Sequence, residues 1–223
     1  MKKLISAILC FTALCAFAGC KTKTLLPDAM PLPTPTATAD PFESGKISDG
    51  IFVSKYANIK ITPPSGEWTF ASDEEILKLM NIALESDILT DELKKTAALI
   101  KAFFERGGHQ IQINAIKKDN GSNLIVMYEN LQGTEEIDGR AYLELAKTQF
   151  ASLGVGTAGN ITEELLAGEN YYRLDTVTEY SGVTMDQTYL CRKIDSRVLI
   201  IILTGVPADG KEINSMISMI SAQ

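Results

Sequence analysis

Histidine and cysteine are scarce in this 223-residue sequence. His109 is the single histidine, and the cysteines are Cys10, Cys15, Cys20 and Cys191. A structural zinc site takes four Cys or His ligands, and beyond the first twenty residues only His109 and Cys191 are present, so zinc is not expected. No spaced D-x-[DN]-x-[DN]-G loop is present, so the acidic clusters Asp73-Glu74-Glu75, Glu135-Glu136-Asp138 and Glu163-Glu164 read as solvated faces and helix-start charges, not as calcium ligands. No metal and no cofactor is expected. Basic residues are also in the minority, with 21 Lys and Arg against 28 Asp and Glu. Such a chain is repelled by phosphate backbones, so nucleic acid is not an expected partner. Beyond the N-terminus no apolar run is long enough to span a bilayer; residues 198–206 are strand-sized.

The N-terminus itself is distinctive. Met1-Lys2-Lys3 precedes fifteen uncharged residues, 4–18, and then Gly19-Cys20. A basic start, a short apolar stretch and small residues at its end are the marks of an export signal. Ala16-Phe17-Ala18 fits ordinary signal cleavage, which would release a soluble protein. Ala18-Gly19-Cys20 followed by a polar stretch resembles the bacterial lipobox, with Phe17 standing where that motif usually has Leu. The resemblance implies cleavage after residue 19 and lipid on Cys20, the palmitate-bearing anchor of a lipoprotein on the outer face of a bacterial cell membrane. Two or more acyl chains hold a protein to a bilayer stably, whereas one holds it only marginally. Cys10 and Cys15 would leave with the signal, and Cys191 would remain as a lone thiol that forms no internal disulfide.

Residues 20–48 carry Pro27, Pro31, Pro33, Pro35 and Pro41 among Thr and Ala, with no periodicity. This reads as a tether, about 30 Å across as a random coil. The 175 residues 49–223 then suffice for one domain. With Lys2 and Lys3 removed, 19 basic residues face 28 acidic ones, a net of −9 that falls on this domain.

Within the domain, residues 51–56 and 59–62 read as strands. Ser72-Asp73-Glu74-Glu75 is a capping box opening a helix with an apolar face at Ile76, Leu79, Met80, Ala83 and Leu84. A second helix runs from Thr90, striped by Leu93, Ala97, Ile100 and Phe104. Residues 110–117 and 124–128 flank Asn120-Gly121, which predicts a two-residue type I′ hairpin turn. A helix is expected over 138–153. A meander follows, with a weak strand over 161–166 and stronger ones over 171–180, 183–194 and 197–204. Val198-Leu199-Ile200-Ile201-Ile202-Leu203 is apolar on both faces and needs cover on both. Asp209 and Glu212 predict the capping of a last helix faced by Ile213, Met216, Ile217 and Ile220. The fold class is α/β of the α+β kind, an antiparallel sheet between helical layers.

These elements carry a family resemblance. Pro63-Pro64-Ser65-Gly66-Glu67-Trp68, the acidic helix start at Ser72, Gly168-Glu169-Asn170-Tyr171-Tyr172-Arg173-Leu174, Gln187-Thr188-Tyr189, the apolar 198–203 strand and the closing helix together resemble the PsbP-like α/β/α sandwich proteins. The resemblance spans about residues 51–222 and is most similar to small clostridial-type surface lipoproteins of that fold. It implies an interaction module, as in the fold's photosystem and Ran-binding members, and supplies no catalytic residues.

The remaining candidates weaken on inspection. Gly154-Val155-Gly156-Thr157-Ala158-Gly159 spells a dinucleotide fingerprint, but a helix precedes it and a strand follows, the reverse of what phosphate binding needs. His109 and Cys191 would make a catalytic dyad only if adjacent; otherwise Cys191 is a buried small hydrophobe. Trp68 reads as a core anchor rather than a stacking platform. Asn120-Gly121-Ser122 and Asn160-Ile161-Thr162 match glycosylation sequons that a bacterial lipobox makes incidental. The expected function is therefore a non-enzymatic, membrane-anchored interaction module with a protein or envelope partner. The alternatives are capture of a small ligand or peptide in support of transport, and an envelope hydrolase of unrecognised type.

Overall fold

The computed structural model describes residues 42–72, 74–75, 109–130, 137–153, 156–180, 183–208 and 210–223. The predicted helices over 76–84 and 91–104 and the turn at Ser181-Gly182 lie outside the described residues, as do the export signal and Cys20.

Two antiparallel sheets dominate. The smaller has the order β1 (Lys46–Ser48), β2 (Ile51–Ser54), β3 (Ile59–Ile61), β11 (Ile220–Ser221). The larger has seven strands in the order β4 (Trp68–Phe70), β5 (His109–Lys117), β6 (Asn123–Asn130), β10 (Arg197–Gly205), β9 (Val183–Ile194), β8 (Glu169–Tyr180), β7 (Gly156–Leu166). Helix α1 (Gly139–Leu153) packs across β7, β8 and β9. Helix α2 (Lys211–Ser218) packs on β10 and β9.

The expected single sheet between helical layers is corrected here. Among the described residues, α1 packs on the β7–β9 part of one face of the large sheet, while the small sheet together with α2 packs on the other face. The reason is the period-2 burial of the opening strands. Phe52, Ile59 and Ile61 point inward with no solvent exposure and join Val126, Tyr128, Leu199, Ile201 and Met216 in one apolar cluster. β10 is buried along all nine residues, as its apolar run requires. Leu199, Ile201 and Leu203 face the small sheet, and Val198, Ile200 and Ile202 face the other way.

Several local readings also change. Ordered structure reaches back into the segment assigned to the tether, because β1 pairs with β2 and Phe42 packs on the core. The Phe42 ring meets Tyr56 and Tyr128 edge-on at 5.2 and 5.1 Å, with the Arg197 guanidinium 4.2 Å from its centre. That grip fixes the point at which the preceding chain leaves the domain. The capping box is present, with Ser72 and Glu75 exchanging bonds of 2.9 and 3.2 Å.

The Asn120-Gly121 turn is longer than a type I′ hairpin: residues 118–122 connect β5 to β6, and Gly121 alone has positive φ. The Asn120 amide serves a different end, donating to the Val206 carbonyl at 2.8 Å and to Glu212 at 3.1 Å. Glu212 also takes Lys117 at 2.8 Å, a bond that holds the Lys117 pKa above its ordinary value, so it is no capping partner. The N-cap of α2 is Gly210, left-handed with φ 71°, whose N–H donates to Asp186 at 2.9 Å; Asp209 lies outside the described residues. α2 ends at Ser218, and Ile220 instead pairs with Ile61 as part of β11.

Because β10 has no surface to relax toward, Ile201→Ala should cost about 3–4 kcal/mol in urea unfolding, near the upper part of the range for such truncations. A loss below about 1 kcal/mol would mean that β10 is not packed on both faces.

Candidate functional site

The structure separates the two residues of the candidate dyad. His109 opens β5 opposite Glu129 of β6, whereas Cys191 lies on β9, opposite Ile200 of β10. Three strand spacings, about 14 Å, intervene along β5-β6-β10-β9. Cys191 is fully buried, and burial, reinforced by the Glu129 charge, pushes its thiol pKa well above the ordinary value. A thiol in that state is neither nucleophile nor ligand. Glu129 itself is buried and accepts a hydrogen bond from the Tyr142 hydroxyl of α1, which ties that helix to the sheet.

Gly156 and Gly159 lie within β7 rather than in a loop, and Gly154 lies outside the described residues. A Cβ at Gly156 would collide with the Val177 carbonyl, so this glycine permits close strand approach and not phosphate binding. Trp68 is buried in the core on β4. Glu75 is used in the capping box, Asp138 accepts from the Ala141 N–H at 2.8 Å at the start of α1, and Glu164 lies 3.3 Å from Arg173. Among the described residues no group of three His, Cys, Asp or Glu side chains could hold a metal ion.

Two features without a motif stand out instead. The first is β7. It terminates the large sheet, runs for eleven residues and is exposed along most of its length, with Leu165 at 70% exposure. It carries no Pro and no Lys, the residues that most often blunt a free edge. Its charges are Glu163 and Glu164, and β8 beside it adds Glu169, Asp175 and Glu179 against the single Arg173. One β-bulge interrupts the β7–β8 pairing between Ala158 and Ile161.

The second is a polar band on the face of the large sheet that carries α1. Asn123 pairs with Thr204, Thr204 with Gln187, and Gln187 with Thr176, so these four residues form one register row across β6, β10, β9 and β8. None is more than 3% exposed. The Gln187 amide donates to Thr204 at 3.3 Å and accepts from the Tyr189 hydroxyl at 3.3 Å. The rows beyond it, Ile125–Ile202–Tyr189–Leu174 and Met127–Ile200–Cys191–Tyr172, are largely apolar. Both amide atoms of Asn123 and the hydroxyls of Thr176 and Thr178 find no hydrogen-bond partner among the described residues.

No protein-family model matches the chain, and no curated protein does. Among solved structures, the chain is similar to cyanobacterial PsbP (CyanoP) from Synechocystis, at 11% identity and a TM-score of 0.44 over 86% of this chain and 99% of that one. It is also similar to a Bacteroides thetaiotaomicron protein, at 12% identity and a TM-score of 0.39, over 78% of this chain and 48% of that one. A third likeness is to LpqN, involved in cell envelope biogenesis of Mycobacterium tuberculosis, at 12% identity and a TM-score of 0.36 over 51% and 78%.

Two outcomes follow from the buried groups. Cys191 should resist alkylation in the native protein and react fully in urea, read as the mass of the peptide containing it. Prompt native labelling would contradict its burial. Burial of Tyr171 raises its pKa from 10.0 to about 12, with the Arg192 charge opposing. The folded value exceeds the unfolded one, so this contribution is complete below about pH 10 and is lost toward pH 12, with a fall of order 3 kcal/mol in denaturant titrations.

Proposed function

We propose that this protein is a lipid-anchored extracytoplasmic interaction module that binds a partner by strand addition at β7. The carrying observation is the exposed eleven-residue edge, which takes no outer strand among the described residues. Backbone N–H and C=O groups along such an edge form a template for an extended segment, and main-chain bonding supplies the affinity. Of the five acidic residues of β7 and β8, Glu164 and Asp175 pair with Arg173 and Glu169 with Arg192, and the net negative charge that remains favours a partner segment bearing Lys or Arg. Lipid on Cys20 and the Pro-rich stretch after it fit this role, since they would hold the domain near, but clear of, the membrane. Phe42 sets where that tether joins.

Two experiments bear on the proposal. Metabolic labelling with a palmitate analogue should mark the wild type and not Cys20→Ala, which should appear in the medium; label retained by Cys20→Ala would refute the anchor. For the partner, photocrosslinkers placed in cells at Thr162 of β7 should capture one discrete species that Glu163→Lys/Glu164→Lys loses. Crosslinks of equal yield from Thr148 on α1 would argue against the edge.

A further inference from the structure

An open edge accepts many extended segments; the side chains of β7 narrow the choice. The regular β7–β8 register runs over Ile161–Leu166, past the bulge between Ala158 and Ile161, so the straight template is six residues long. Side chains alternate along it. Ile161, Glu163 and Leu165 share the face of Leu174, Tyr172 and Asn170, whereas Thr162, Glu164 and Leu166 share that of Arg173, Tyr171 and Glu169. Resting on the reading that a strand adds at this edge, we propose that the partner segment has the pattern apolar-x-Lys/Arg-x-apolar, its basic residue opposite Glu163 and its apolar residues opposite Ile161 and Leu165.

The first face is the one with groups left to offer. Among the described residues the Glu163 carboxylate makes no hydrogen bond and no ion pair, unlike Glu164, Asp175 and Glu169, which Arg173 and Arg192 hold. Leu165 is the most exposed large apolar side chain of the described residues, Glu163 is exposed, and Ile161 and Tyr172 are half-buried. Helix α1 packs on this face, but its last residue, Leu153, precedes the start of β7 at Gly156, and Leu165 lies about 30 Å further along the strand. An added strand sets its residues directly opposite those of β7 on the same face, with Cβ atoms about 5 Å apart. A Lys or Arg opposite Glu163 therefore meets a carboxylate with no competing cation, and an apolar residue opposite Leu165 takes that side chain out of water. The other face asks less, because Glu164 is already paired and Leu166 is buried. The pattern reads the same in both directions, so it holds for a parallel or an antiparallel partner. A second copy of β7 does not meet it: its own Ile161-x-Glu163-x-Leu165 carries the wrong charge at the centre.

NMR of the full chain, isotope-labelled and purified in detergent, tests this with three capped peptides: Thr-Val-Thr-Lys-Thr-Val-Thr, the same with Glu at the centre, and the same with Ser for both Val. The Lys peptide should move the backbone amides of Ile161–Leu166 saturably, and the other two should bind at least about tenfold more weakly. Glu163→Lys should invert the preference, losing the Lys peptide and gaining the Glu peptide by about tenfold each. Glu144→Lys makes the same charge change at an exposed position of α1 and should leave both affinities unchanged, which separates pairing at Glu163 from the bulk charge of the domain. Leu165→Ser should weaken the Lys peptide about fivefold. If Glu163→Lys fails to fold, Glu163→Gln serves in its place and should abolish the preference between the Lys and Glu peptides. Equal binding of all three peptides at β7, or a preference that survives in the folded Glu163 variant, would overturn the pattern while leaving strand addition standing. Amides of Ile161–Leu166 unmoved by any peptide would overturn both.

Discussion

Strand β10 is the constraint on which the rest of the structure depends. Its nine residues are all buried, and the apolar side chains alternate between two faces, so neither face can be left to solvent. Burying Leu, Ile and Val contributes about 1.5–3 kcal/mol per side chain, the largest favourable term available to a domain without an internal disulfide. The two covers differ in kind. On one side Phe52, Ile59 and Ile61 of the small sheet, with Ile213 and Met216 of α2, close over Leu199, Ile201 and Leu203. On the other, α1 crosses the β7–β9 half of the sheet, tied to β6 by the Tyr142–Glu129 bond.

The sheet's polar and charged groups are distributed around that core. Arg192 meets Glu169 at 2.6 Å, donates to the Ala57 carbonyl at 2.6 Å and lies over the Tyr171 ring, joining the large sheet to the turn between β2 and β3. Ser54 meets the Tyr128 hydroxyl at 3.1 Å and accepts from the Ala57 N–H at 3.2 Å, anchoring the same turn from the other side. At the opposite end Lys117, Asn120 and Glu212 knit the β5–β6 connection to α2. The β7 edge and the Asn123 band take no part in the bonding of either knot, and both keep hydrogen-bonding capacity that is unused among the described residues.

Much of this was legible in the sequence, for identifiable reasons. The meander followed from alternation over 171–204 and a tight turn at Asp195-Ser196, and β10 from a run apolar on both faces. Asp138 and Ser72 announced helix starts because short polar side chains have few better uses beside an apolar periodicity. Other features were not legible. The division into two sheets depends on which partner β3 takes, and β11 is two residues long with Ile220 reading as the end of a helical stripe. The polar band is the clearest case. Thr176, Gln187 and Thr204 each look like a solvent-facing strand residue when read alone, and only the register of four strands aligns them with Asn123. Cys191 shows the converse: a thiol that invites a chemical reading in the sequence is fixed as a core residue by the same register.

A rigid, fully buried strand at the middle of the sheet supports an open edge at its end. Residue-resolved hydrogen exchange of the native protein measures both at once. The β10 amides should exchange only through global unfolding, with the full unfolding free energy, while outward amides of β7 exchange through local opening orders of magnitude faster. Protection of β7 equal to that of β10 would mean that the edge is already occupied or covered, and that β7 is no free template.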